Sequence, residues 1–199
     1  MGATMMSAPA WNAAAVTLKD SAGHICFAAA GAAAGTVSTA EDTAAALTEV
    51  TESRYHTIAR MSCFLDREIA DLGFDEILLT DVGYPTTGPL DKIDYNGADR
   101  AESIRTFLEE LRSALAEYDV VISIELPAEV LTAGTDDTAG LVLADIAPLV
   151  DRIYAVTTAD QIPALTAAVT AASEAADFAA ELTAYGPDVT GSCLILPQT

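Results

Sequence analysis

Two acidic side chains stand where apolar stretches of the chain come to an end. Residues 72–85 form an apolar run that carries Asp81 near its end and is then broken by glycine and proline. This pattern is typical of a buried parallel strand that opens into a loop. The run at residues 120–126 likewise closes with Glu125. Because α/β proteins keep their chemistry at the carboxyl ends of parallel strands, both carboxylates are candidates for proton transfer.

The elements that must position these acids alternate between strand and helix. Strand patterns occur at residues 15–19, 24–29, 55–64, 72–85, 120–126, 152–156 and 192–196. Helical patterns occur at residues 39–52, 99–115, 140–150 and 159–185, and residues 127–138 are predicted to be a loop. Counting the clear units gives about six parallel strands, fewer than the eight of a closed barrel. We therefore predict a single α/β domain over residues 1–199: a TIM-barrel-like parallel (β/α) repeat that is incomplete.

The sequence also makes specific predictions about two helix starts and one short connection. Asp99, with Glu102 three residues later, predicts a capped start for the helix at 99–115, and Ser38 or Thr39 is the expected cap of the helix at 39–52. Residues 65–73 are short for a parallel crossover that contains a helix.

Composition limits the partners of the protein. The chain has 199 residues and a formal net charge of -21, from 30 acidic residues against 9 lysines and arginines. Such a surface repels nucleic acid and anionic membranes, so neither is an expected partner. No apolar run reaches the length of a membrane span, and the start of the chain resembles no export signal, so a soluble, unexported chain is expected.

No cofactor or metal is expected from the motifs. His24 and His56 lack neighbours at metal-ligand spacing, and the three cysteines lie singly within apolar stretches. The chain carries neither a glycine-rich phosphate loop nor a Ser-His-Asp order signature.

Several motifs, taken in order, resemble a bacterial family of putative glycoside hydrolases. The residues that carry this resemblance cover most of residues 11–156 and lie at 12–23, 58–66, 72–77, 93–95 and 122–125. The resemblance implies a TIM-barrel domain, an extracytoplasmic setting and action on carbohydrate. It also implies that Glu125 occupies an acidic position of the family.

The chain departs from the family pattern at two positions of the second motif. Thr80 stands where the family carries an acid, and Gly83 stands where it carries an arginine. Alternation along a strand turns Asp81 to the face opposite Thr80 unless the strand end is bulged. Asp81 therefore either replaces the family acid or only caps and solvates a loop. The segment between the two family motifs is also shortened, which suggests a reduced member or an incomplete reading frame.

The resemblance suggests roles for a set of side chains. Most glycoside hydrolysis uses two carboxyl groups, one to protonate the leaving oxygen and one to act as nucleophile or to activate water. The catalytic candidates are Glu125, as general acid or base, and Asp81, as its partner. The candidate substrate-binding residues are Asp66, Tyr84, Tyr95, Lys19 and Arg60, of which the tyrosines could stack on sugar rings.

Each of these roles has a structural alternative. Lys19, Arg60, Glu76 and Glu125 could form a buried ion network that needs no substrate. Asp66 could cap a helix instead of contacting sugar. At the level of the whole protein, the alternatives to an enzyme are a degenerate barrel that binds glycan, a structural remnant, or a chain that forms a homodimer through an open sheet edge.

Overall fold

The computed structural model describes residues 12–19, 43–62, 73–88, 90–93, 97–182 and 192–195. Several predictions lie outside these ranges: the strand at 24–29, the helix cap at Ser38 or Thr39, most of the short connection at 65–73, and the candidate residues Asp66 and Tyr95.

Strands and helices alternate along the described chain. The strands are β1 (Ala13–Lys19), β2 (His56–Ser62), β3 (Glu76–Thr80), β4 (Val121–Glu125), β5 (Thr135–Asp136), β6 (Leu141–Val142), β7 (Arg152–Val156), β8 (Asp177–Leu182) and β9 (Ser192–Ile195). The α-helices are α1 (Thr43–Thr51), α2 (Arg100–Ala114), α3 (Ala128–Ala133), α4 (Leu143–Ile146) and α5 (Ile162–Ala172). Short 3₁₀ turns occupy Leu90–Lys92 and Ala147–Leu149.

The chain divides into two compact units. The first comprises residues 1–81 and 115–122, and the second comprises residues 82–114 and 123–199. In the first unit, β1, β2 and β3 pair in parallel in that order. The backbone N–H of Val121, at the start of β4, donates to the Asp75 carbonyl at 2.9 Å. All five residues of β3 are buried, as its continuous apolar run predicts for a strand covered on both faces.

The second unit continues the same pattern. The last three residues of β4 pair with β7, which pairs with β8, which pairs with β9, all in parallel. The strands β5 and β6 form a small antiparallel hairpin. Helix α2 buries Ile104, Leu108 and Leu111, which recur at helical spacing on one face. The predicted cap of this helix is confirmed, because the Asp99 carboxylate accepts a hydrogen bond from the N–H of Glu102 at 3.1 Å.

The protein is therefore an α/β protein with an incomplete, TIM-barrel-like (β/α) repeat, as the sequence predicted. The described strands that pair in parallel are β1, β2 and β3 in the first unit and β4, β7, β8 and β9 in the second, and these seven are still fewer than the eight of a closed barrel. Within the described ranges, no helix combines the length and the apolar character needed to cross a membrane.

The additional strand corrects the prediction of one long helix at residues 159–185. Helix α5 ends at Ala172, and residues 177–182 form β8 instead. Alanine favours helix locally, but five of the six residues of β8 are buried beside β7, and this packing overrides the propensity.

The connection between β4 and β7 was also predicted wrongly in part. Residues 127–138 are not a simple loop, because they form α3 and β5. The single helix predicted at 140–150 is divided into β6, the four-residue helix α4 and a 3₁₀ turn. Pieces of two to six residues are too short to produce a clear periodic pattern in sequence.

Candidate functional site

Asp81 follows β3 directly and has an unusual backbone conformation. Its φ is 55°, which makes it the one non-glycine residue with positive φ in the part of the chain that the structure describes. A left-handed residue is uncommon outside glycine, although aspartate tolerates this conformation better than most residues. This conformation ends the regular alternation of side chains at that residue.

The hydroxyl groups around Asp81 show which face its carboxylate occupies. Ser62 and Thr80 are partners in the parallel pairing of β2 with β3, so their side chains share one face. The Ser62 hydroxyl donates to Asp81 Oδ2 at 2.6 Å, and Thr80 Oγ1 lies 3.4 Å from the same oxygen. The carboxylate therefore lies beside the Ser62–Thr80 pair. Alternation had turned it away from Thr80, and the positive φ of Asp81 is the reason for the difference.

Glu125 closes β4 in the second unit. It is half-buried and lies opposite Tyr154 in the pairing with β7. The backbone N–H of Leu126 donates to the Tyr154 carbonyl at 2.9 Å, which holds the end of β4 against β7. The predicted position of Glu125 at the carboxyl end of its strand is thus what the structure shows.

The strands beside Glu125 add polar residues that sequence reasoning missed. Parallel pairing aligns Ser123 with Arg152 and Glu125 with Tyr154, and it aligns Val156 with Glu181 of β8. Residues two apart in a strand share a face, so all these side chains belong to the same face. Tyr154 is 3% exposed, and Ser123 and Glu181 are both 0% exposed. Alternation within residues 152–156 could have revealed Arg152 and Tyr154, whereas Glu181 was hidden in the predicted helix.

A second polar cluster lies in the first unit, at the amino ends of β2 and β3. Glu76, the first residue of β3, is 0% exposed, and its Oε2 atom lies 2.6 Å from Nε2 of His56, the first residue of β2. The ion network of Glu76 with Lys19, Arg60 and Glu125, which the sequence suggested, stays a prediction. His56 is a partner of Glu76 that the sequence did not suggest.

Asp75, immediately before β3, belongs to the same cluster. Its Oδ2 accepts hydrogen bonds from the backbone N–H of Thr57 at 2.7 Å and from the Thr57 hydroxyl at 2.8 Å. Burial alone would raise the pKa of the Asp75 carboxyl. The hydrogen bonds from Thr57, together with the nearby His56, outweigh burial and lower this pKa below its ordinary value. The cluster lies at the amino ends of the strands, where barrel residues usually serve stability.

The candidate basic residues of the first unit lie on β1 and β2. Arg60 is half-buried, and in the strand pairings it lies opposite Thr17 and Leu78. The register of β1 shifts between Thr17 and Lys19, which places Lys19 opposite Met61. Strand alternation alone therefore does not assign Lys19 to the face of Arg60.

Tyr84 lies in a loop of the second unit that contacts the start of α2 and the turn between β5 and β6. Its backbone N–H donates to the Ala139 carbonyl at 2.9 Å, and the Arg100 guanidinium lies 5.8 Å from the centre of its ring. Arg100 begins α2 and also donates to the Thr138 carbonyl at 2.6 Å. The ring is half-buried, so part of its surface is available for stacking. Among the described residues, no three His, Cys, Asp or Glu side chains form a group that could hold a metal ion.

The fold is that of an α/β protein of the incomplete, TIM-barrel-like class. Acidic residues lie at the carboxyl ends of two of its strands, Asp81 after β3 and Glu125 at the end of β4. Residues 65–157 match the model of a family described as "Putative glycosyl hydrolase domain". The resemblance to a glycoside hydrolase family, predicted from the motifs, is confirmed over this segment, which includes both Asp81 and Glu125. No curated protein matches the chain.

One solved structure supports the same fold class. A GH18 chitinase from Pseudoalteromonas aurantia is similar with a TM-score of 0.53 and 15% identity, over 85% of this chain and 71% of that one. The spore cortex-lytic enzyme SleL of Bacillus megaterium QM B1551 gives a TM-score of 0.42 and 10% identity, over 74% of this chain and 41% of that one. At such identities the first likeness shows the fold alone, and the second carries no argument.

Proposed function

We propose that this protein is a glycoside hydrolase-like domain that acts on carbohydrate, with Glu125 as its general acid or base. The observation that carries this proposal is the family match over residues 65–157, with Glu125 at the carboxyl end of β4. In a TIM-barrel fold, this end of the strands is where catalytic residues occur. The similarity to a chitinase makes β-linked amino-sugar polymers the first substrates to test.

The chemistry assigned to Glu125 is proton transfer at the glycosidic oxygen. As general acid it donates its proton to the leaving oxygen while the bond from that oxygen to the sugar breaks. A second carboxylate then acts as nucleophile or activates water, and Asp81 is our candidate for that role. The Ser62 hydroxyl, 2.6 Å from Asp81 Oδ2, supports this assignment because it holds the carboxylate in one orientation.

The test is turnover of aryl-glycosides, chitin oligosaccharides and cell-wall polysaccharides by the wild type and two variants. We expect Glu125→Gln and Asp81→Asn each to lower kcat by about 100-fold or more, since each removes a group that transfers protons or attacks carbon. Glu129→Gln is the matched control for Glu125→Gln, because Glu129 is exposed on α3 four residues further along. Equal turnover by Glu125→Gln and the control would remove Glu125 from catalysis.

A catalytically degenerate, glycan-binding barrel is the second candidate function. The specific observation in its favour is the replacement of two family residues, by Thr80 and Gly83. Calorimetric titration with the same oligosaccharides separates the two cases. Binding without turnover by the wild type supports the binding domain, and neither binding nor turnover supports a structural remnant.

A further inference from the structure

The sheet of the second unit has a polar face that the proposed function does not yet use. Glu125, Arg152, Tyr154 and Glu181 share this face through the pairings of β4, β7 and β8. A carboxylate on a buried sheet face is costly unless charge or hydrogen bonds compensate it. Such a set of residues therefore requires an explanation, either in stability or in function.

Tyr154 is the residue of this face that is placed best to act on Glu125. The two residues are directly opposite each other on neighbouring parallel strands, which lie about 4.8 Å apart. The hydrogen bond from the Leu126 N–H to the Tyr154 carbonyl keeps this register at the end of β4. Because Tyr154 is 3% exposed, its side chain is held by its surroundings and has few alternative orientations.

Arg152 connects Tyr154 to the charged part of the face. Its Nη1 atom donates to the Tyr154 hydroxyl oxygen at 3.5 Å, so the guanidinium extends along β7 toward the strand end. The Nε atom of Arg152 and the Oε1 atom of Glu181 are both buried. Among the described strands of this unit, Arg152 is the one basic residue, so it is the one cation that these strands contribute to the face that holds Glu181.

We infer that Arg152, Tyr154 and Glu181 are positioning residues for the carboxyl group of Glu125. Glu181 compensates the charge of Arg152, Arg152 orients the Tyr154 hydroxyl, and Tyr154 restricts the Glu125 side chain to one orientation. This inference rests on the proposed function in one respect, namely that the oriented carboxyl is the one that transfers a proton to the sugar.

The first measurement follows turnover. We expect Tyr154→Phe to lower kcat by about 10- to 100-fold while KM stays within about twofold, because misplacing a catalytic group affects chemistry more than binding. Arg152→Lys, which keeps the charge, should retain more activity than Arg152→Ala. Tyr55→Phe removes the same atom from a tyrosine of the first unit that packs on Arg54, and it should behave as the wild type.

The second measurement does not need activity. The side-chain carboxyl resonance of ¹³C-labelled Glu125, assigned with Glu125→Gln, is compared at one pH in the wild type, Tyr154→Phe, Glu181→Gln and Tyr55→Phe. A displaced resonance in the first two variants and an unchanged one in Tyr55→Phe is the expected result. Glu181→Gln keeps the volume of the side chain, so it tests the inference even if Tyr154→Phe does not fold.

The outcomes distinguish this inference from the proposed function. A wild type without turnover, with a resonance that moves in Tyr154→Phe, removes the hydrolase proposal and leaves the positioning intact. An active wild type whose Glu125 resonance is unchanged in both variants overturns the positioning, whatever happens to kcat.

Discussion

At the scale of single residues, His56 contacts the buried Glu76 carboxyl group at one end of the sheet of the first unit. The two atoms are 2.6 Å apart, and the His56 side chain is 35% exposed while that of Glu76 is fully buried. Water thus reaches the imidazole but not the carboxylate. The contact links the first residues of β2 and β3, so it contributes to the stability of that end of the sheet.

Replacing His56 tests this contribution. We expect His56→Ala to lower the free energy of unfolding by about 1–3 kcal/mol, because the buried carboxyl group of Glu76 loses a hydrogen-bond partner. Urea denaturation of the variant and the wild type measures the difference. Arg54→Ala, at an exposed neighbouring position, is the control and should stay within about 0.5 kcal/mol of the wild type. A His56→Ala variant as stable as this control would contradict the expected role.

Asp75 gives the stability of the first unit a defined pH dependence. Its pKa is lowered in the folded protein relative to the ordinary value of 3.8, so the ionised form is favoured by folding. This contribution is present above the unfolded pKa and is lost as the pH falls through the folded pKa. We therefore expect Asp75→Asn to be less stable than the wild type above about pH 4, with the difference shrinking at lower pH.

Denaturation curves from pH 2 to 7 measure that difference. The variant and the wild type share every other carboxyl group, so the difference between their curves isolates the contribution of Asp75. A constant difference across the whole range would show that the contribution of Asp75 does not depend on its charge.

At the scale of elements, the β5–β6 hairpin is joined to the start of α2 through Gly140. The φ of Gly140 is 73°, and a Cβ atom at this position would lie 2.6 Å from Arg100 Cβ and 2.9 Å from the Arg100 carbonyl carbon. The same contact region contains the hydrogen bond from Arg100 to the Thr138 carbonyl. Only a glycine allows the hairpin to approach the helix this closely.

A pair of glycine variants separates backbone strain from this close approach. Gly134, the C-cap of α3, has φ 84° and nothing within 4 Å of an added Cβ, so Gly134→Ala should cost about 1 kcal/mol from backbone conformation alone. Gly140→Ala should cost about 1–3 kcal/mol more, because Arg100 must move. Thermal and urea denaturation compare the two variants. Equal losses in the free energy of unfolding would mean that the hairpin can move away from Arg100 without destabilising the protein.

The elements also show where local pattern was sufficient and where it was not. Helix α2 was predicted with its cap, because Asp99 and the spacing of Ile104, Leu108 and Leu111 are local signals. Strand β8 was missed because its alanines favour helix in isolation. Its conformation depends on pairing with β7, a partner that local sequence does not reveal.

At the scale of the whole molecule, charge and fold class were readable from the chain. A net charge of -21 and strands that alternate with helices need no coordinates to be recognised. The family motifs were equally visible, because they are short runs of defined residue types. The match over residues 65–157 bears out that resemblance.

The candidate site, too, was determined partly by the sequence and partly by the tertiary structure. Sequence alone determined that acids close β3 and β4, since an acid after an apolar run is a local fact. Only the tertiary structure decided which face the Asp81 carboxylate occupies, because one left-handed residue cancels the alternation of a strand. It also decided that Arg152, Tyr154 and Glu181 share a face with Glu125. Strand register is set by packing between segments far apart in the chain, and no local pattern encodes it.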